Sequence, residues 1–239
     1  MSKQETTSLG HASGLLATPP QYTARLASDE ATRRDVYSLR YDCYLDGGFI
    51  GPNKDKLFSD KFDGQPNTET VAVYQDDELI ASVRVCFLSQ SRPTPAPVRD
   101  TFPDQLDQLL SQCRKSAHGT EAVEITRLVR SPRFANDQGL VFVLYRLAGL
   151  LGIQRDVRMI LSCVRKNHVA FYRRLRYCEV AGPRSYPGLI CPMHLLACTR
   201  EDYDAVRGRF PLMDPDAFPR DDVSAFLAGR PMATRIRPA

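Results

Sequence analysis

Residues 70–89 show the alternation of apolar and polar positions that is typical of β-strands. The segments TVAVYQ and ELIASVRVCFLS are separated only by Asp76-Asp77, a spacing that predicts a β-hairpin. Successive side chains of a strand point to opposite faces, so Arg84 shares a face with Ile80, Cys86 and Leu88. A guanidinium on a largely apolar face needs a buried partner. The pattern therefore predicts both a hairpin and a buried ionic contact.

Helical spacing of apolar residues predicts a first helix that follows a short strand at residues 21–27. Ser28 or Asp29 can cap this helix, its apolar stripe contains Val36, Leu39 and Cys43, and Gly47-Gly48 ends it. Arg40 lies on or beside that stripe. A strongly amphipathic helix is predicted at residues 140–151.

Further strands and helices follow from the remaining apolar runs. We predict strands at 122–130, 178–181 and 189–198, a central buried strand at 158–164, and a helix at 168–175. Residues 201–210 and 221–229 are candidate helices. Residues 49–69 are irregular, and the Pro-rich residues 90–104 are expected to form a surface loop. The simplest organisation is a flexible tail at 1–20, one α/β domain at 21–199 and a C-terminal extension at 200–239.

Composition excludes several classes of protein. The chain is 43% hydrophobic and 25% charged, values of an ordinary globular protein, and its net charge of +4 is too small to indicate nucleic-acid binding. No apolar run approaches the ~18 residues of a membrane span. Seven cysteines without a C-x-x-C pair indicate buried thiols in a reducing cytoplasm, and four scattered histidines disfavour a metal site.

Three arginines fall inside elements with apolar patterns and should therefore be paired or face a cleft. They are Arg40, Arg84 and Arg127, and their candidate partners are Asp60, Asp63 and Glu124. One interpretation is an ion-pair network that braces the loop at 49–69. The other is a polar pocket for a small substrate that carries a carboxylate or an ammonium group.

Glu124 and Arg127 are three residues apart on a predicted strand, so they would point to opposite faces. They can share a site only if a β-bulge intervenes. We predict that bulge near Ile125–Thr126.

Four motifs in this order resemble a known family. They are an arginine in the first helix (Arg40), the loop SDKFD (59–63), the strand motif ASVR (81–84) and the strand motif EITR (124–127), followed by NHVAFYRRLRYCEV at 167–180. Together they resemble the acyl-carrier-protein-dependent branch of the GNAT (acyl-CoA N-acyltransferase) fold. That branch holds the long-chain N-acyl amino acid synthases and the acyl-homoserine-lactone synthases. The resemblance covers about residues 35–180 and implies an α/β fold with a mixed central sheet flanked by helices.

The resemblance implies acyl transfer from a thioester to an amine, with Glu124 as general base and Arg127 beside it. It implies substrate binding by Arg40, Asp60, Phe62, Asp63 and Arg84, without assigning the individual roles. Contacts to the acyl donor are implied for Ile125, Thr126, Leu128 and Val129, with a backbone N–H at the bulge for the oxyanion. The acyl chain would lie against residues 140–151 and 159–164. No cofactor or metal is implied.

The expected acyl donor is an acyl carrier protein, which is acidic as a class. Basic residues that could dock it are Arg165, Lys166, Arg173, Arg174 and Arg176, with Arg33 and Arg34 on the first helix. A solvated helix face explains the same charges. The expected acceptor is an amino acid.

Two departures from the family pattern separate the alternatives. Acyl-homoserine-lactone synthases, which use S-adenosylmethionine, carry a tryptophan after the first helix, where this chain has Gly48-Phe49 and no Trp at all. Relatives that use acetyl-CoA have a glycine-rich phosphate turn, whereas RFANDQGLVF has only Gly139. These departures favour an N-acyl amino acid synthase over a lactone synthase or a CoA-dependent acetyltransferase. A non-catalytic binding module is disfavoured because the charged motif residues are all present.

Overall fold

An eight-stranded mixed β-sheet forms the centre of the protein, as a computed structural model of residues 21–113 and 119–235 describes it. The strand order is β6-β7-β5-β4-β3-β2-β1-β8, and all neighbours are antiparallel except the parallel pair β4–β5. The strands are β1 (Gln21–Leu26), β2 (Thr68–Gln75), β3 (Glu78–Leu88), β4 (Ala122–Arg130), β5 (Met159–Val164), β6 (Cys178–Tyr186), β7 (Leu189–Thr199) and β8 (Met232–Arg235). The proposed tail at residues 1–20 lies outside the described residues.

Helices cover both faces of this sheet. On one face lie α1 (Glu30–Asp46), α2 (Pro97–Thr101) and α3 (Pro103–Gln112); on the other lie α4 (Gln138–Gln154), α5 (Val169–Arg174), α6 (Arg200–Arg209) and α7 (Arg220–Leu227). The larger apolar cluster is on the α4 side, where buried residues of β1 to β5 pack against α4 and α5. Within the described ranges, each helix is too short or too polar to cross a bilayer.

The predicted hairpin and first helix are confirmed, together with the local interactions that end them. Asp76 and Asp77 have φ values of 48° and 63°, which is the backbone twist of a tight type I′ hairpin turn. The Asp29 carboxylate accepts a hydrogen bond of 2.8 Å from the Thr32 amide and caps α1. At the other end, the Gly47 amide donates to the Cys43 carbonyl.

The prediction of a surface loop at residues 90–104 is wrong for its second half. Residues 97–101 form α2, and Val98 and Phe102 are fully buried beneath β3 with Leu106 of α3. Pro97 and Pro103 stand at the starts of α2 and α3. A proline is well tolerated in the first turn of a helix, because the N–H that it lacks would have no partner there. The prolines that indicated a loop therefore mark two helix starts.

The helix predicted at 140–151 is confirmed as α4, but it is buried on nearly every side instead of on a single face. Residues 211–217, which follow α6, pack over its outer surface. Arg146 of α4 is only 4% exposed; it donates a hydrogen bond to the Thr234 hydroxyl of β8 and lies 4.5 Å from the Phe218 ring centroid. The predicted helices after residue 200 are present as α6 and α7, and β8 pairs with β1 from Gln21–Arg235 to Ala24–Met232.

A β-bulge in β4 is present, two residues later than predicted. Pairing with β3 passes from Arg84–Thr126 to Ser82–Val129, so Arg127 and Leu128 both stand opposite Val83. Arg127 adopts a left-handed φ of 50°. This turn of the backbone brings the Arg127 side chain to the same side of the sheet as Thr126, which a regular strand would not allow.

The seven cysteines, all within the described residues, are free thiols. Cys86 and Cys198 are buried, as predicted, but Cys178 is exposed at the start of β6 and does not fit the prediction of a buried thiol. Across residues 21–113 and 119–235, no three His, Cys, Asp or Glu side chains are placed to hold a metal ion.

Candidate active site

A cluster of five charged side chains joins the loop after α1 to the sheet. The Arg84 guanidinium donates two hydrogen bonds to the Asp60 carboxylate, of 2.7 Å and 3.1 Å, and one of its nitrogens lies 2.9 Å from an Asp63 oxygen. Arg40 donates to the same Asp63 oxygen at 2.8 Å, and Arg127 donates to Asp60 at 2.7 Å. The loop and the two strands are thus connected through two carboxylates.

Backbone amides fix the conformation of the aspartate loop itself. The Phe62 amide donates to the Asp60 carboxylate at 3.0 Å, and the Asp60 amide donates to Asp63 at 3.0 Å. The Phe62 ring is 1% exposed and its centroid lies 5.9 Å from the Arg84 guanidinium carbon. Both carboxylates are therefore held in place before any substrate arrives.

Electrostatics of the cluster favour fully ionised groups. Burial alone would raise the pKa of Asp60, but the hydrogen bonds and charge of Arg84 and the charge of Arg127 hold it well below its usual value. For Asp63 the charges of Arg40 and Arg84 likewise outweigh burial and lower the pKa. Three guanidinium groups face two carboxylates, which leaves one unit of positive charge.

This geometry matches the ion-pair network that braces the loop, one of the two interpretations of the arginines. Arg40 and Arg84 are both 0% exposed and their forks are occupied by aspartates. Arg127 is 4% exposed and also donates to the Pro187 carbonyl at 2.8 Å. Arg127 also lines a cavity between β4 and β5.

Glu124 has different partners from those expected. Its carboxylate is 0% exposed and accepts hydrogen bonds from the Tyr186 hydroxyl at 2.6 Å and from the Val98 amide at 3.0 Å. Arg127 instead pairs with Asp60, so the expected pair of Glu124 with Arg127 is not formed. Burial raises the pKa of Glu124 above its usual value, although the hydrogen bonds from Tyr186 and Val98 oppose that shift.

Tyr186 connects the buried glutamate to the other polar groups of β4. Its hydroxyl lies 3.0 Å from the Thr126 hydroxyl, and its ring centroid lies 5.5 Å from the Arg127 guanidinium carbon. Glu124, Tyr186 and Thr126 therefore form one short chain of hydrogen bonds. Tyr186 was not identified from the sequence, because it is 62 residues from Glu124 and only the order of strands β6-β7-β5-β4 in the sheet brings it near.

A cavity of about 140 Å³ lies where β4 and β5 separate. The two parallel strands pair only over 122–124 and 159–161, and beyond that point they diverge. The gap is lined mainly by aromatic and apolar side chains, with Thr126, Arg127, Arg165 and His168 as polar groups. The full lining is Tyr44, Phe49, Ile125, Thr126, Arg127, Leu128, Cys163, Val164, Arg165, His168, Tyr172, Tyr186, Leu189 and Met193.

The residues predicted for the acyl donor divide between two places. Ile125, Thr126 and Leu128 line the cavity, whereas Val129 packs away from it with Tyr41 and Phe58. Of the predicted catalytic pair, Arg127 lines the cavity and Glu124 lies behind Tyr186. The predicted substrate residues belong to the ion cluster and do not line this cavity. They are Arg40, Asp60, Phe62, Asp63 and Arg84.

A second opening, of about 290 Å³, lies between β1, α1 and the aspartate loop. Tyr37, Asp63 and Thr70 are among its lining residues, but neither Glu124 nor Arg127 contributes to it. Of these two openings, the cavity between β4 and β5 is therefore the one that adjoins Glu124, through the Tyr186 side chain in its lining.

Comparisons with known proteins agree with this architecture. The solved structure of FeeM, an N-acyl amino acid synthase from uncultured soil microbes, has a TM-score of 0.63 at 13% identity, covering 82% of this chain and 98% of that one. The acyl-homoserine-lactone synthase LasI has a TM-score of 0.56 at 12% identity, covering 80% and 96%. BjaI, a CoA-dependent acyl-homoserine-lactone synthase solved with MTA, has a TM-score of 0.53 at 13% identity, covering 83% and 92%. At such identities the likeness concerns the fold, and it confirms the predicted GNAT-like architecture.

Sequence comparison then identifies the family. A comparison with curated proteins finds no match. The family model described as N-acyl amino acid synthase FeeM, however, matches residues 35–199, which include most of α1, the aspartate loop and β2 to β7. The chain therefore belongs to the FeeM family of N-acyl amino acid synthases, and it is an N-acyltransferase.

Proposed function

We propose that the protein transfers a fatty acyl group from the thioester of an acyl carrier protein to the amine of an amino acid. The observation that carries this proposal is the buried pair of Glu124 and Tyr186 at the wall of the cavity between β4 and β5. A thioester and an amine meet in this cavity, and a base reaches them only through the tyrosine hydroxyl.

The reaction forms one C–N bond and breaks one C–S bond. The amine nitrogen attacks the thioester carbonyl carbon and passes a proton to the Tyr186 oxygen, while Tyr186 passes its own proton to Glu124. Collapse of the tetrahedral intermediate releases the thiolate, which takes up that proton. The products are an amide and the thiol of the carrier.

Burial of Glu124 suits it to this role. A carboxylate with an ordinary pKa is a weak base at neutral pH, and the raised pKa of Glu124 increases its affinity for the proton. The Tyr186 hydroxyl is 2.6 Å from Glu124, within the range of direct proton transfer.

The bulge supports stabilisation of the oxyanion. Arg127 and Leu128 line the cavity, and the left-handed φ of Arg127 turns the backbone away from the regular ladder. A backbone N–H at this bulge is the proposed oxyanion donor. The net positive charge of the neighbouring cluster favours the same developing charge.

The ion cluster supports a specific role for Arg127. Because Arg40 and Arg84 are fully buried, the proposed contact to the carboxylate of the amino acid comes from Arg127, which lines the cavity. Asp60 binds Arg127 through two nitrogens, at 2.7 Å and 3.3 Å, and thereby orients it. Arg40, Asp63 and Arg84 then act by positioning Asp60.

Basic side chains beside the cavity support an acidic carrier as donor. Arg165 lines the cavity and lies 4.1 Å from the Phe49 ring centroid, and Lys166 and Arg174 are exposed nearby. Arg173 is exposed and forms only a surface pair with Glu179. Arg33 of the other basic cluster donates to the Ala27 and Ser28 carbonyls, which leaves it less suited to docking.

The proposal is tested with purified protein, acyl carrier proteins and acyl-CoA of several chain lengths, and a mixture of amino acids, with products identified by mass spectrometry. Fatty-acyl amino acids made from the carrier protein support the proposal. An acyl homoserine lactone formed with S-adenosylmethionine, or transfer only from CoA, contradicts it.

Two substitutions test the base. Glu124→Gln and Tyr186→Phe should each lower the rate of amide formation by about 10²–10⁴-fold, the usual contribution of general base catalysis. Glu121→Gln is the matched control, because Glu121 is also buried, immediately before β4, but accepts a hydrogen bond from the Gln90 amide and does not line the cavity. Full activity of Glu124→Gln would exclude Glu124 as the base.

Unchanged binding of the carrier protein by Arg173→Glu/Arg174→Glu would exclude docking at α5.

A further inference from the structure

The lining of the cavity between β4 and β5 carries two guanidinium groups and no carboxylate. Arg127 and Arg165 contribute the guanidinium groups, and the described lining residues include neither Asp nor Glu. Asp60 and Glu124 lie behind the lining, where they accept hydrogen bonds from Arg127 and Tyr186. A ligand that enters this cavity therefore meets positive charge and no facing negative charge.

Arg127 keeps one nitrogen for a ligand. Its Nε and Nη2 atoms donate to Asp60, and Nη2 also donates to the Pro187 carbonyl. Among the described residues, its Nη1 atom has no hydrogen-bond partner. This nitrogen is available to the α-carboxylate that the proposed function assigns to Arg127.

Arg165 is a second cation, and no carboxylate of the described residues pairs with it. Its guanidinium carbon lies 4.1 Å from the Phe49 ring centroid, and its Nη2 atom lies 3.3 Å from Nε2 of His168. Because arginine can only donate, Nε2 accepts this hydrogen bond and His168 is neutral. Burial and the charge of Arg165 lower the pKa of His168, which agrees with that form. The Arg165 guanidinium is thus held in place but not neutralised.

We propose that the acceptor is an amino acid with an acidic side chain, aspartate or glutamate, whose second carboxylate binds Arg165. The inference rests on the proposed function, because it takes Arg127 as the partner of the α-carboxylate. The cavity is small, about 140 Å³, so an amino acid bound at Arg127 lies close to the other lining groups. A carboxylate can accept two parallel hydrogen bonds from one guanidinium group.

The balance of charge favours the same class of acceptor. The buried ion cluster carries one positive unit, Arg165 adds a second, and an ionised Glu124 removes one, which leaves the site with one positive unit. An acidic amino acid with its ammonium group intact carries one negative unit, whereas a neutral amino acid carries none. A lysine side chain would bring a further positive charge to a lining without a carboxylate.

The test measures which amino acid the protein acylates. Equimolar aspartate, asparagine, glutamate, glutamine and lysine compete for one acyl donor, and the product ratio is read by mass spectrometry. Each acid should exceed its amide by about 10–100-fold, the contribution of hydrogen bonds to a charged group, and lysine should give the least product. Arg165→Gln should bring the ratio of acid to amide close to one, and Arg165→Glu should favour lysine.

Arg209→Gln is the matched control, because it removes the same charge from an exposed arginine of α6 that does not line the cavity. The ratio is internal to each sample, so partial loss of folded protein does not change it. Equal amounts of acid and amide product from the wild type would overturn the inference and leave the proposed function intact. An unchanged ratio in Arg165→Gln, with a higher KM for the carrier protein, would also overturn it, because Arg165 would then serve the donor.

Calorimetric binding of aspartate and asparagine without any acyl donor gives a second measurement that needs no catalysis. Aspartate should bind more tightly than asparagine to the wild type, and Arg165→Gln should remove the difference. If the wild type makes no N-acyl product but shows this difference in binding, the proposed function fails and the inferred preference for an acidic amino acid stands.

Discussion

Replacing Asp60 with asparagine tests how strongly the fold depends on the buried ion cluster. The amide has the shape of the carboxylate and keeps one oxygen for the Phe62 amide, but it removes the negative charge shared by Arg84 and Arg127. The same oxygen would still accept from Arg84, but an amide NH₂ would replace the second oxygen, which accepts from both Arg84 and Arg127. The formal charge of the cluster would rise from one to two positive units in a region from which water is nearly excluded.

The loss of stability expected for Asp60→Asn follows from the burial of the cluster. Removing one partner of a buried pair typically costs about 3–5 kcal/mol, because the remaining charge is left without compensation. Asp60 makes four hydrogen bonds to two guanidinium groups, and Arg84 is 0% exposed, so the full range applies. For a chain of this size each kcal/mol lowers Tm by about 2–4 °C, which predicts a decrease of roughly 6–20 °C.

The assay is urea and thermal unfolding at pH 7 with circular dichroism. Asp100→Asn is the control, because Asp100 forms an ion pair with Lys61 in which the two side chains are 40% and 70% exposed. Such a surface pair contributes about 0–1 kcal/mol, so its loss should change Tm little.

A second variant separates a structural role from a substrate role. Arg84→Met combined with Asp60→Asn should lose less stability than the two single changes added together, because the unpaired charge of Arg84 is gone. If Asp60→Asn unfolds like the wild type yet has lost activity, the network does not stabilise the fold and the carboxylate serves the substrate directly. That result would refute the reasoning.

Three further outcomes follow from the structure. Folding lowers the pKa values of Asp60 and Asp63, so the stability that they contribute is present above the ordinary carboxyl pKa of 3.8 and is lost as the pH falls below it. The urea midpoint, measured between pH 7 and pH 2, should therefore decrease below about pH 4. A midpoint that does not change with pH would contradict the ion pairing. Burial raises the pKa of Cys86 to about 12, so a thiol reagent should modify the exposed Cys178 in the native protein and Cys86 only in denaturant, as peptide mapping would show. Phe226→Ala should cost about 3–5 kcal/mol in urea unfolding, because the Phe226 ring is fully buried in the main apolar cluster, and a change below 1 kcal/mol would mean that α7 packs loosely.

Patterns in the sequence predict the elements that depend on local rules. The hairpin around Asp76-Asp77, the Asp29 cap and the strand of Glu124 all follow from alternation, capping or apolar spacing. The bulge was predictable because Glu124 and Arg127 could not otherwise share a face. Its position was not, since only the register with β3 places the extra residue.

Contacts between distant elements could not be predicted in the same way. Buried arginines need acidic partners, and this rule identifies Asp60 and Asp63 as candidates. It does not determine which arginine binds which carboxylate. Tyr186 donates to Glu124 from the edge hairpin of β6 and β7. The Val98 amide donates to Glu124 from α2, a helix whose prolines led to the prediction of a loop. Such contacts depend on the order of strands in the sheet, which local periodicity does not determine.

The pairing of β8 with β1 has a consequence for synthesis of the protein on the ribosome. Thr23 pairs with Ala233, so strand β1 emerges about 210 residues before its outer neighbour. At about 5–20 residues per second, this interval lasts roughly 10–40 s. During that time one edge of β1 has unpaired backbone groups, which are a template for strands of other chains. The nascent chain therefore has a defined period of vulnerability to aggregation, which ends when β8, a strand of four residues, covers β1 and replaces it at the edge of the sheet.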